Sequence, residues 1–321
     1  MEILLNVIGV VLGFFLILRG ADTMVDGSSD LARKFRISEA VIGLTVVAFG
    51  TSLPEFVVSF FSALRGSGDM SVGNIMGSNI FNALVILGAS AFIATVTVPR
   101  RALLVDIPLS LLAAVVLSLL CFDTVLHGLP VNILSRWDAL LLLVFMGLFI
   151  YYNYLLTKRG KKQLKVEEVD RPTWRILLAI VVGIVLLVVG GNVLINSASS
   201  IALELGVSEA IIGLTILAAG TSAPELATSI MAARKSKIDM AIGNVVGSNV
   251  FNVFFVLGSC GLVRPIVVTD IKPLDVVMFV GGPLLLWSFS ALFHRINRLM
   301  GAVMVMVYVV YLAMLVRSAI A

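Results

Sequence analysis

The sequence predicts an all-α membrane protein with ten transmembrane helices in two inverted five-helix repeats, in which helices 2 and 7 are broken. Three observations predict this fold. Hydrophobic residues make up 60% of the 321-residue chain and charged residues only 13%, unlike a soluble globular protein. About ten apolar segments are long enough to cross a bilayer. Residues 37–88 recur as residues 207–258 without gaps, with 26 of 52 positions identical.

The apolar segments divide evenly between two halves of the chain. The first apolar segment has no small-residue cleavage site and leads directly into the repeat, so we interpret it as a transmembrane helix rather than a signal peptide. The first repeat is assigned to residues 1–157 (helices 1–5), a basic loop to 158–173, and the second repeat to 174–321 (helices 6–10). In order, the predicted crossings are residues 3–20, 37–64, 71–95, 103–122, 137–156, 174–194, 207–233, 240–262, 274–293 and 299–317.

Basic residues are unevenly distributed between the two sides of this topology. The odd-numbered connections hold 18 of the 23 Lys and Arg residues, and the other side holds five. Because Lys and Arg accumulate in cytoplasmic loops, we predict a multi-pass cell-membrane protein with a cytoplasmic central loop and both termini extracellular or periplasmic. The topology accounts for the basic loop, so no nucleic-acid partner is expected, and no obligatory protein partner is evident.

Five crossings per repeat is an odd number, which has a consequence for the second repeat. It must enter the membrane upside down relative to the first. Inverted repeats are an architecture of secondary transporters, in which the ligand site lies near mid-membrane where the repeats meet. A purely structural duplication would preserve apolar patterning rather than specific polar motifs.

Each repeat carries a proline–glutamate motif, GTSLPE at 50–55 and GTSAPE at 220–225. Pro54 and Pro224 cannot donate a backbone hydrogen bond, so both helices should break near the bilayer centre. Free backbone at that depth is tolerated only where it is buried in protein or lines a cavity. Glu55 and Glu225 follow the prolines, and acids in a membrane usually mark function. A kink used only for packing is the alternative, but two symmetric kinks with glutamates favour a calcium or sodium site.

The segments GNIMGSNIFN and GNVVGSNVFN are predicted to be partner helices of the two bends. Their glycines form small-xxx-small ridges that allow close helix contact. Asn74 and Asn244 are interpreted either as ligands or as helix–helix hydrogen-bonding residues. The remaining polar positions of the stripe are predicted to coordinate ions. The full stripe, at spacing i, i+4, i+8 on one helix face, is Asn74, Ser78 and Asn82 in the first repeat and Asn244, Ser248 and Asn252 in the second.

Two glutamates in one low-dielectric site suggest a mechanism. Two ionised carboxylates there repel each other and are poorly solvated, so cations or protons must compensate their charge. If the site switches between the two sides of the membrane only when its charge is neutralised, then an ion can cross in one direction only when another crosses in the opposite direction. Two alternatives are less consistent with the sequence. The pore of an ion channel would usually need oligomeric symmetry, and a membrane hydrolase would need metal-ligand histidines, which this sequence does not supply. No nucleotide loop, nucleophile–base pair or Cys/His cluster is present in the sequence, so neither an enzyme nor a cofactor is expected.

The paired motifs, GTSLPE with GSNIFN and GTSAPE with GSNVFN, resemble the two alpha-repeats of the calcium/cation antiporter superfamily, prokaryotic sodium/calcium exchanger type. The resemblance implies a secondary active antiporter that exchanges calcium for sodium by alternating access, with helices 1 and 6 sliding across the other eight. It implies calcium ligands at Glu55, Glu225, Thr51 and Thr221. It implies sodium ligands at Ala48, Thr51, Ser52, Glu55 and Ser78, and at Ala218, Thr221, Ser222, Glu225 and Ser248.

The sequence departs from some members of that superfamily at the fourth central position of each repeat. Several exchangers have one aspartate there, whereas this chain has Asn82 and Asn252. The site therefore holds two central carboxylates instead of three, which we predict affects stoichiometry and the choice of counter-ion. Hydroxyl and carbonyl oxygens beside each bend favour sodium. Calcium/proton exchange and potassium-dependent sodium/calcium exchange stay open as alternatives.

Overall fold

The computed structural model describes residues 2–121, 131–160, 169–206, 218–269 and 271–320. We number the helices within these residues in chain order and include π-helical turns in the helix that carries them. They are α1 (Glu2–Phe35), α2 (Glu39–Thr51), α3 (Leu53–Arg65), α4 (Gly68–Ile93), α5 (Ala102–Leu120), α6 (Arg136–Gly160), α7 (Thr173–Glu204), α8 (Ala218–Thr221), α9 (Ala223–Arg234), α10 (Ile238–Val263), α11 (Pro273–Phe293) and α12 (Arg298–Ile320).

Nine of the ten predicted crossings are found in the described part of the chain. Eight single helices are long and apolar enough to span a membrane, and α2 with α3 forms a ninth span that is bent by 49°. The remaining predicted crossing, residues 207–233, begins with 207–217, which lie outside the described residues. Only its second part, α8 and α9, is described. This seventh crossing, and with it the total of ten, stays a prediction, as does the inverted orientation of the repeats.

Helices α1 and α7 are longer than the apolar segments that predicted them. They contain 34 and 32 residues, and 34 residues extend about 51 Å, against about 30 Å of bilayer hydrocarbon. The apolar segments stopped at residues 20 and 194 because polar residues such as Asp22 and Asn196 lower the hydropathy. The helices continue because no proline follows in either segment.

Glycines allow α1 and α7 to pack closely along each other. A Cβ atom on Gly13 would lie 2.7 Å from the backbone nitrogen of Leu194, and one on Gly190 would lie 2.8 Å from Cβ of Leu16. Such distances leave no room for a side chain. The interface between α1 and α7 is therefore a contact of backbone against backbone.

Helices α4 and α10 form the centre of the bundle. In the most apolar 18-residue stretch of each helix, 78% of α4 and 83% of α10 is buried inside the protein, compared with 17% of α1. A Cβ atom on Gly243 or Gly247 of α10 would lie 2.6 Å from the carbonyl oxygen of Ala40 or Leu44 in α2, which confirms the predicted close contact of this ridge. The segment that would face Gly73 and Gly77 of α4 by the repeat offset, 210–214, lies outside the described residues.

Two short antiparallel ladders depart from the all-α prediction. Strand β1 (Val96–Thr97) pairs with β4 (Arg295–Ile296), and β2 (Asn132–Leu134) pairs with β3 (Ile266–Val268). Each strand is only two or three residues long and lies in a connection between helices. β-Branched residues in these connections favour extended backbone, a local signal that the helix-length patterns did not reveal.

Candidate cation site

Both predicted helix breaks occur at a serine. Ser52 separates α2 from α3 with φ −81° and ψ 6°, and Ser222 separates α8 from α9 with φ −88° and ψ 7°. Pro54 and Pro224 lie in the first turn of the helix that follows, where the missing backbone N–H costs nothing. The predicted breaks are confirmed at both positions, and the two bends have nearly the same backbone geometry.

Glu55 and Glu225 lie in the first turn of α3 and α9 and are fully buried. The N-terminal end of a helix carries partial positive charge, which favours a carboxylate there. Neither side chain faces the lipid. An ionised acid without access to water needs a compensating charge, so both positions fit cation ligands.

Each glutamate is held by the serine of the opposite bend. Ser52 Oγ donates a 3.0 Å hydrogen bond to Glu225 Oε1, and Ser222 Oγ donates a 3.2 Å hydrogen bond to Glu55 Oε1. Ser78 of α4 also donates to Glu55 Oε1, at 3.4 Å. These contacts bring the two bends into one site, although they are about half the chain apart in sequence.

Four asparagines cross-link α4 and α10 behind the glutamates. Asn82 Nδ2 donates to Asn249 Oδ1 at 3.1 Å, and Asn252 Nδ2 donates to Asn79 Oδ1 at 3.0 Å. Asn79 Nδ2 also donates to the backbone oxygen of Asn249, at 3.0 Å. Sequence reasoning missed Asn79 and Asn249 because they lie off the polar stripe. The signal that could have found them is that both are asparagines at the repeat offset of 170.

A π-helical turn begins at Asn82 and another at Asn252. Single π-turns within α-helices occur frequently at functional sites. Here they begin at the two central asparagines, Asn82 and Asn252, whose amide nitrogens donate hydrogen bonds between α4 and α10. The carbonyl oxygen of each side chain therefore stays available.

Several buried oxygen atoms around the glutamates have no hydrogen-bond partner. Each buried polar atom without a partner costs about 1–3 kcal/mol, and a charged one costs more. All are oxygen acceptors or hydroxyls, which are the ligands that sodium and calcium prefer. Among the described residues, these atoms are Glu55 Oε2, Glu225 Oε2, Asn82 Oδ1, Asn252 Oδ1 and Ser248 Oγ.

Asn74 and Asn244 hold the backbone of the two glutamates. Asn74 Nδ2 donates to the carbonyl oxygen of Glu55 at 3.3 Å and to Ser59 Oγ at 2.9 Å. Asn244 Nδ2 makes the same contacts to Glu225 at 3.4 Å and to Ser229 at 2.9 Å. The sequence allows Asn74 and Asn244 to be either ion ligands or helix–helix hydrogen-bonding residues, and the structure shows their amide nitrogens in hydrogen bonds between helices.

The other expected ligands lie close to the bends. Ala48 and Thr51 are buried in the last turn of α2, and Thr51 Oγ1 lies 3.2 Å from Asn244 Oδ1. The carbonyl oxygen of Ala48 accepts a hydrogen bond from the backbone nitrogen of Ser52 at 3.0 Å. Ala218 begins α8 and Thr221 ends it. The structure therefore brings every expected ligand to one of the two bends or to a partner helix.

Comparisons with known proteins agree with this arrangement. The family model described as "Sodium/calcium exchanger protein" matches residues 5–155 and 175–317. The chain is 34% identical to Inner membrane protein YrbG of Escherichia coli (strain K12), covering 95% of both chains. It is 28% identical to Sodium/calcium exchanger MaX1 of Methanosarcina acetivorans, covering 98% of this chain and 99% of the relative. The solved structure of the sodium-calcium exchanger NCX_Mj superposes with a TM-score of 0.82 and 31% identity, covering 97% of this chain and 99% of that chain.

Proposed function

This chain belongs to the sodium/calcium exchanger protein family, and from that premise we propose that it is a membrane antiporter that exchanges calcium for sodium. The observation that carries the proposal is the pair of reciprocal hydrogen bonds that joins each bend serine to the glutamate of the other repeat. It supports one central site built equally by both halves of the chain. Calcium and sodium are the transported ions.

Two buried carboxylates define how the ions are held. Glu55 and Glu225, with the backbone oxygens of Thr51 and Thr221, bind calcium in the centre. The unpaired oxygens of Asn82 and Asn252 support a wider oxygen shell around it. Sodium binds beside each bend, at Ala48, Thr51, Ser52, Glu55 and Ser78 on one side and at Ala218, Thr221, Ser222, Glu225 and Ser248 on the other.

Coupling follows from the charge of the site. Two ionised carboxylates without a cation are unfavourable in a dry interior, so the protein changes access when either calcium or sodium neutralises them. Calcium crossing in one direction then requires sodium crossing in the other. The movement is a sliding of α1 and α7, the first and sixth predicted helices, across the rest of the bundle. Their backbone contact at Gly13 and Gly190 supports movement as a pair.

The protein crosses the cell membrane ten times, as repeats 1–157 and 174–321 of opposite orientation joined by a cytoplasmic loop at 158–173. Both termini lie outside. Contacts between connections support this topology: β1 and β4 join the third and ninth connections, and β2 and β3 join the fourth and eighth. Lys237, in the seventh connection, pairs with Glu39, which follows the first. Each contact joins two odd-numbered or two even-numbered connections. This is what the topology requires, because odd-numbered connections lie on one side of the membrane and even-numbered ones on the other.

Flux measurements in proteoliposomes test the proposal against its alternatives. Calcium uptake should follow an outward sodium gradient and should be unaffected by a proton gradient or by added potassium. Uptake driven by protons alone would favour calcium/proton exchange, and an absolute potassium requirement would favour potassium-dependent exchange. Calcium flux that no counter-ion gradient affects would contradict antiport and favour a channel.

A further inference from the structure

A cleft between four helices lies apart from the cation site. It has a volume of about 410 Å³, within the range of about 300–1,000 Å³ that is usual for sites of small organic molecules. We call it the α2 cleft, because Val41, Ile42, Thr45 and Val46 of α2 form one of its walls. Its other walls come from Leu31 and Phe35 of α1, Ile150 of α6 and Leu177 of α7.

Three of the polar side chains that line the α2 cleft donate hydrogen bonds within their own helices. Thr45 Oγ1 donates to the carbonyl oxygen of Val41 at 2.6 Å, and Thr157 Oγ1 donates to that of Asn153 at 3.0 Å. Asn153 Nδ2 donates to the carbonyl oxygen of Phe149 at 2.9 Å. Since these three donors are satisfied by the backbone of their own helices and most other lining residues are apolar, the walls offer mainly hydrocarbon contact. The cleft suits an alkyl chain.

Basic residues border one end of the cleft, where α1 ends and α7 begins. Lys34 precedes the lining residue Phe35, and Lys158 follows the lining residue Thr157. Lys34 Nζ reaches the carbonyl oxygen of Arg171 at 2.5 Å, which ties the end of α1 to the start of α7. Lys158 is exposed and has no hydrogen-bond or ion-pair partner in the described part of the chain. Arg175 lies over the ring of Trp174 at 5.2 Å.

Charge and surroundings at this end match the surface of a membrane. Trp174 is exposed, and tryptophan is enriched at the depth of lipid headgroups. Of the acids near this end that the structure describes, Asp30 is neutralised by Arg171 at 3.0 Å, and Asp170 is exposed to solvent. The charge balance of these described residues is positive beside an apolar cleft, a combination that binds anionic lipid headgroups on the cytoplasmic side of membrane proteins.

We propose that the α2 cleft binds a phospholipid with an anionic headgroup. One acyl chain lies between α1, α2, α6 and α7, and the phosphate lies between Lys34 and Lys158. A free phosphate would leave the apolar volume without a ligand, and an uncharged lipid would leave the cations without one. Lipid binding in the α2 cleft does not depend on ion transport, so its absence would leave the proposed antiport untouched.

The headgroup contact is tested by titrating the purified full-length protein in detergent with phosphatidylglycerol or phosphatidylcholine and counting bound lipids by native mass spectrometry. The double variant K34Q/K158Q should bind phosphatidylglycerol about tenfold more weakly, since each basic residue near the headgroup contributes to attraction. Its affinity for phosphatidylcholine should not change. The control double variant R295Q/R298Q removes two exposed basic residues from another connection and should bind as the wild type does.

The acyl contact is tested by Leu177→Trp, which places a larger side chain in the cleft from the half-exposed surface of α7. This variant should lose phosphatidylglycerol binding by at least about fivefold while its melting temperature stays within the range of the wild type. Glycerol phosphate, which has a phosphate but no acyl chain, should bind neither protein measurably. Equal affinity for the two lipids, an equal loss in R295Q/R298Q, or unchanged binding by Leu177→Trp would each overturn the proposal.

Discussion

Ser52 and Glu225 are joined by a 3.0 Å hydrogen bond between the first bend and the second. The equivalent contact, with every residue number moved by the repeat offset, joins Ser222 to Glu55 at 3.2 Å. Each carboxylate is therefore oriented by the half of the chain that does not contain it. Neither half makes the site alone, and a cation bound to both glutamates contacts both halves at once.

Replacing either glutamate with the neutral isostere tests whether both charges are needed. Loss of one partner from a buried ion pair costs about 3–5 kcal/mol, so Glu55→Gln and Glu225→Gln should each reduce sodium-driven calcium uptake at least about 100-fold. Both variants should fold, because removing a buried charge relieves repulsion. Glu204→Gln, at the exposed end of α7, is the matched control and should transport normally. Wild-type flux from either site variant would contradict the assignment.

The two bend serines should matter for sodium more than a serine elsewhere. A hydrogen bond to a charged group contributes about 1.5–3 kcal/mol, and each serine is also an expected sodium ligand. Ser52→Ala and Ser222→Ala should therefore raise the half-saturating sodium concentration about tenfold in flux assays. Ser118, whose hydroxyl donates to the carbonyl oxygen of Ala114 in its own helix, provides the control Ser118→Ala. If all three variants behave alike, the bend serines have no special role.

Two central carboxylates should give electroneutral exchange. One calcium ion or two sodium ions neutralise Glu55 and Glu225, so wild-type flux should not respond to an imposed membrane potential. Asn82→Asp adds a third carboxylate, which a third monovalent cation would neutralise, and should make flux sensitive to potential. Asn297→Asp keeps the oxygen that accepts from the backbone nitrogen of Met300 and should stay insensitive. The measurement is calcium uptake at potentials set by potassium and valinomycin, and equal sensitivity of wild type and Asn82→Asp would contradict the charge argument.

The bends and their glutamates could be predicted from sequence because the signals are local. Pro54 and Pro224 remove backbone hydrogen bonds wherever they occur, and the repeat offset confirms that both sites carry the same motif. The partner positions Ser78 and Asn82 followed from helical spacing. Neither signal depends on which helices touch.

Contacts between distant helices could not be predicted in the same way. Asn79 and Asn249 lie off the polar stripe, and only the crossing of α4 and α10 makes them neighbours. The small ladders depend on contacts between distant connections: residues about 200 apart pair in β1–β4, and residues more than 130 apart pair in β2–β3. The end of α1 was also missed, because hydropathy reports apolar length whereas the helix continues through Asp22 and Asp26.

The glycine contact between α1 and α7 should be sensitive to a single methyl group. In Gly13→Ala the new Cβ would lie 2.7 Å from the backbone nitrogen of Leu194 and 2.8 Å from the carbonyl oxygen of Gly190, and backbone atoms cannot rotate away. Overpacking costs about 1–3 kcal/mol, so the melting temperature in detergent and the flux should both fall. Gly147→Ala in α6, where a Cβ meets nothing within 4 Å, should change neither. An unaffected Gly13→Ala would show that the two helices separate easily.

Lys235, just after α9, forms ion pairs at 2.6 Å with both Asp22 and Asp26 of α1. The second repeat has asparagines at the positions equivalent to the two aspartates, Asn192 and Asn196, and these neutral side chains cannot form such ion pairs. Burial lowers the pKa of Lys235, but hydrogen bonds to Asp22 and Asp26 raise it, and the net pKa lies above the usual lysine value. The charge of Lys235 is therefore fully present below about pH 10, and it is lost as the pH rises through the raised pKa.

If α1 slides, the ion pairs of Lys235 with Asp22 and Asp26 must break. These pairs stabilise only the conformation in which they form, and the second repeat has no equivalent pairs to stabilise the opposite conformation. Exposed ion pairs contribute about 0.2–1 kcal/mol each, so Lys235→Gln should change the ratio of half-saturating calcium concentrations on the two faces about two- to fivefold. The effect should be constant between pH 6 and about pH 9, where the ammonium stays charged. Lys237→Gln, in the same connection but paired with Glu39 of α2, should leave the ratio unchanged. Flux from both faces of oriented proteoliposomes measures the ratio, and an identical ratio in Lys235→Gln and wild type would exclude a role for these pairs in the movement of α1.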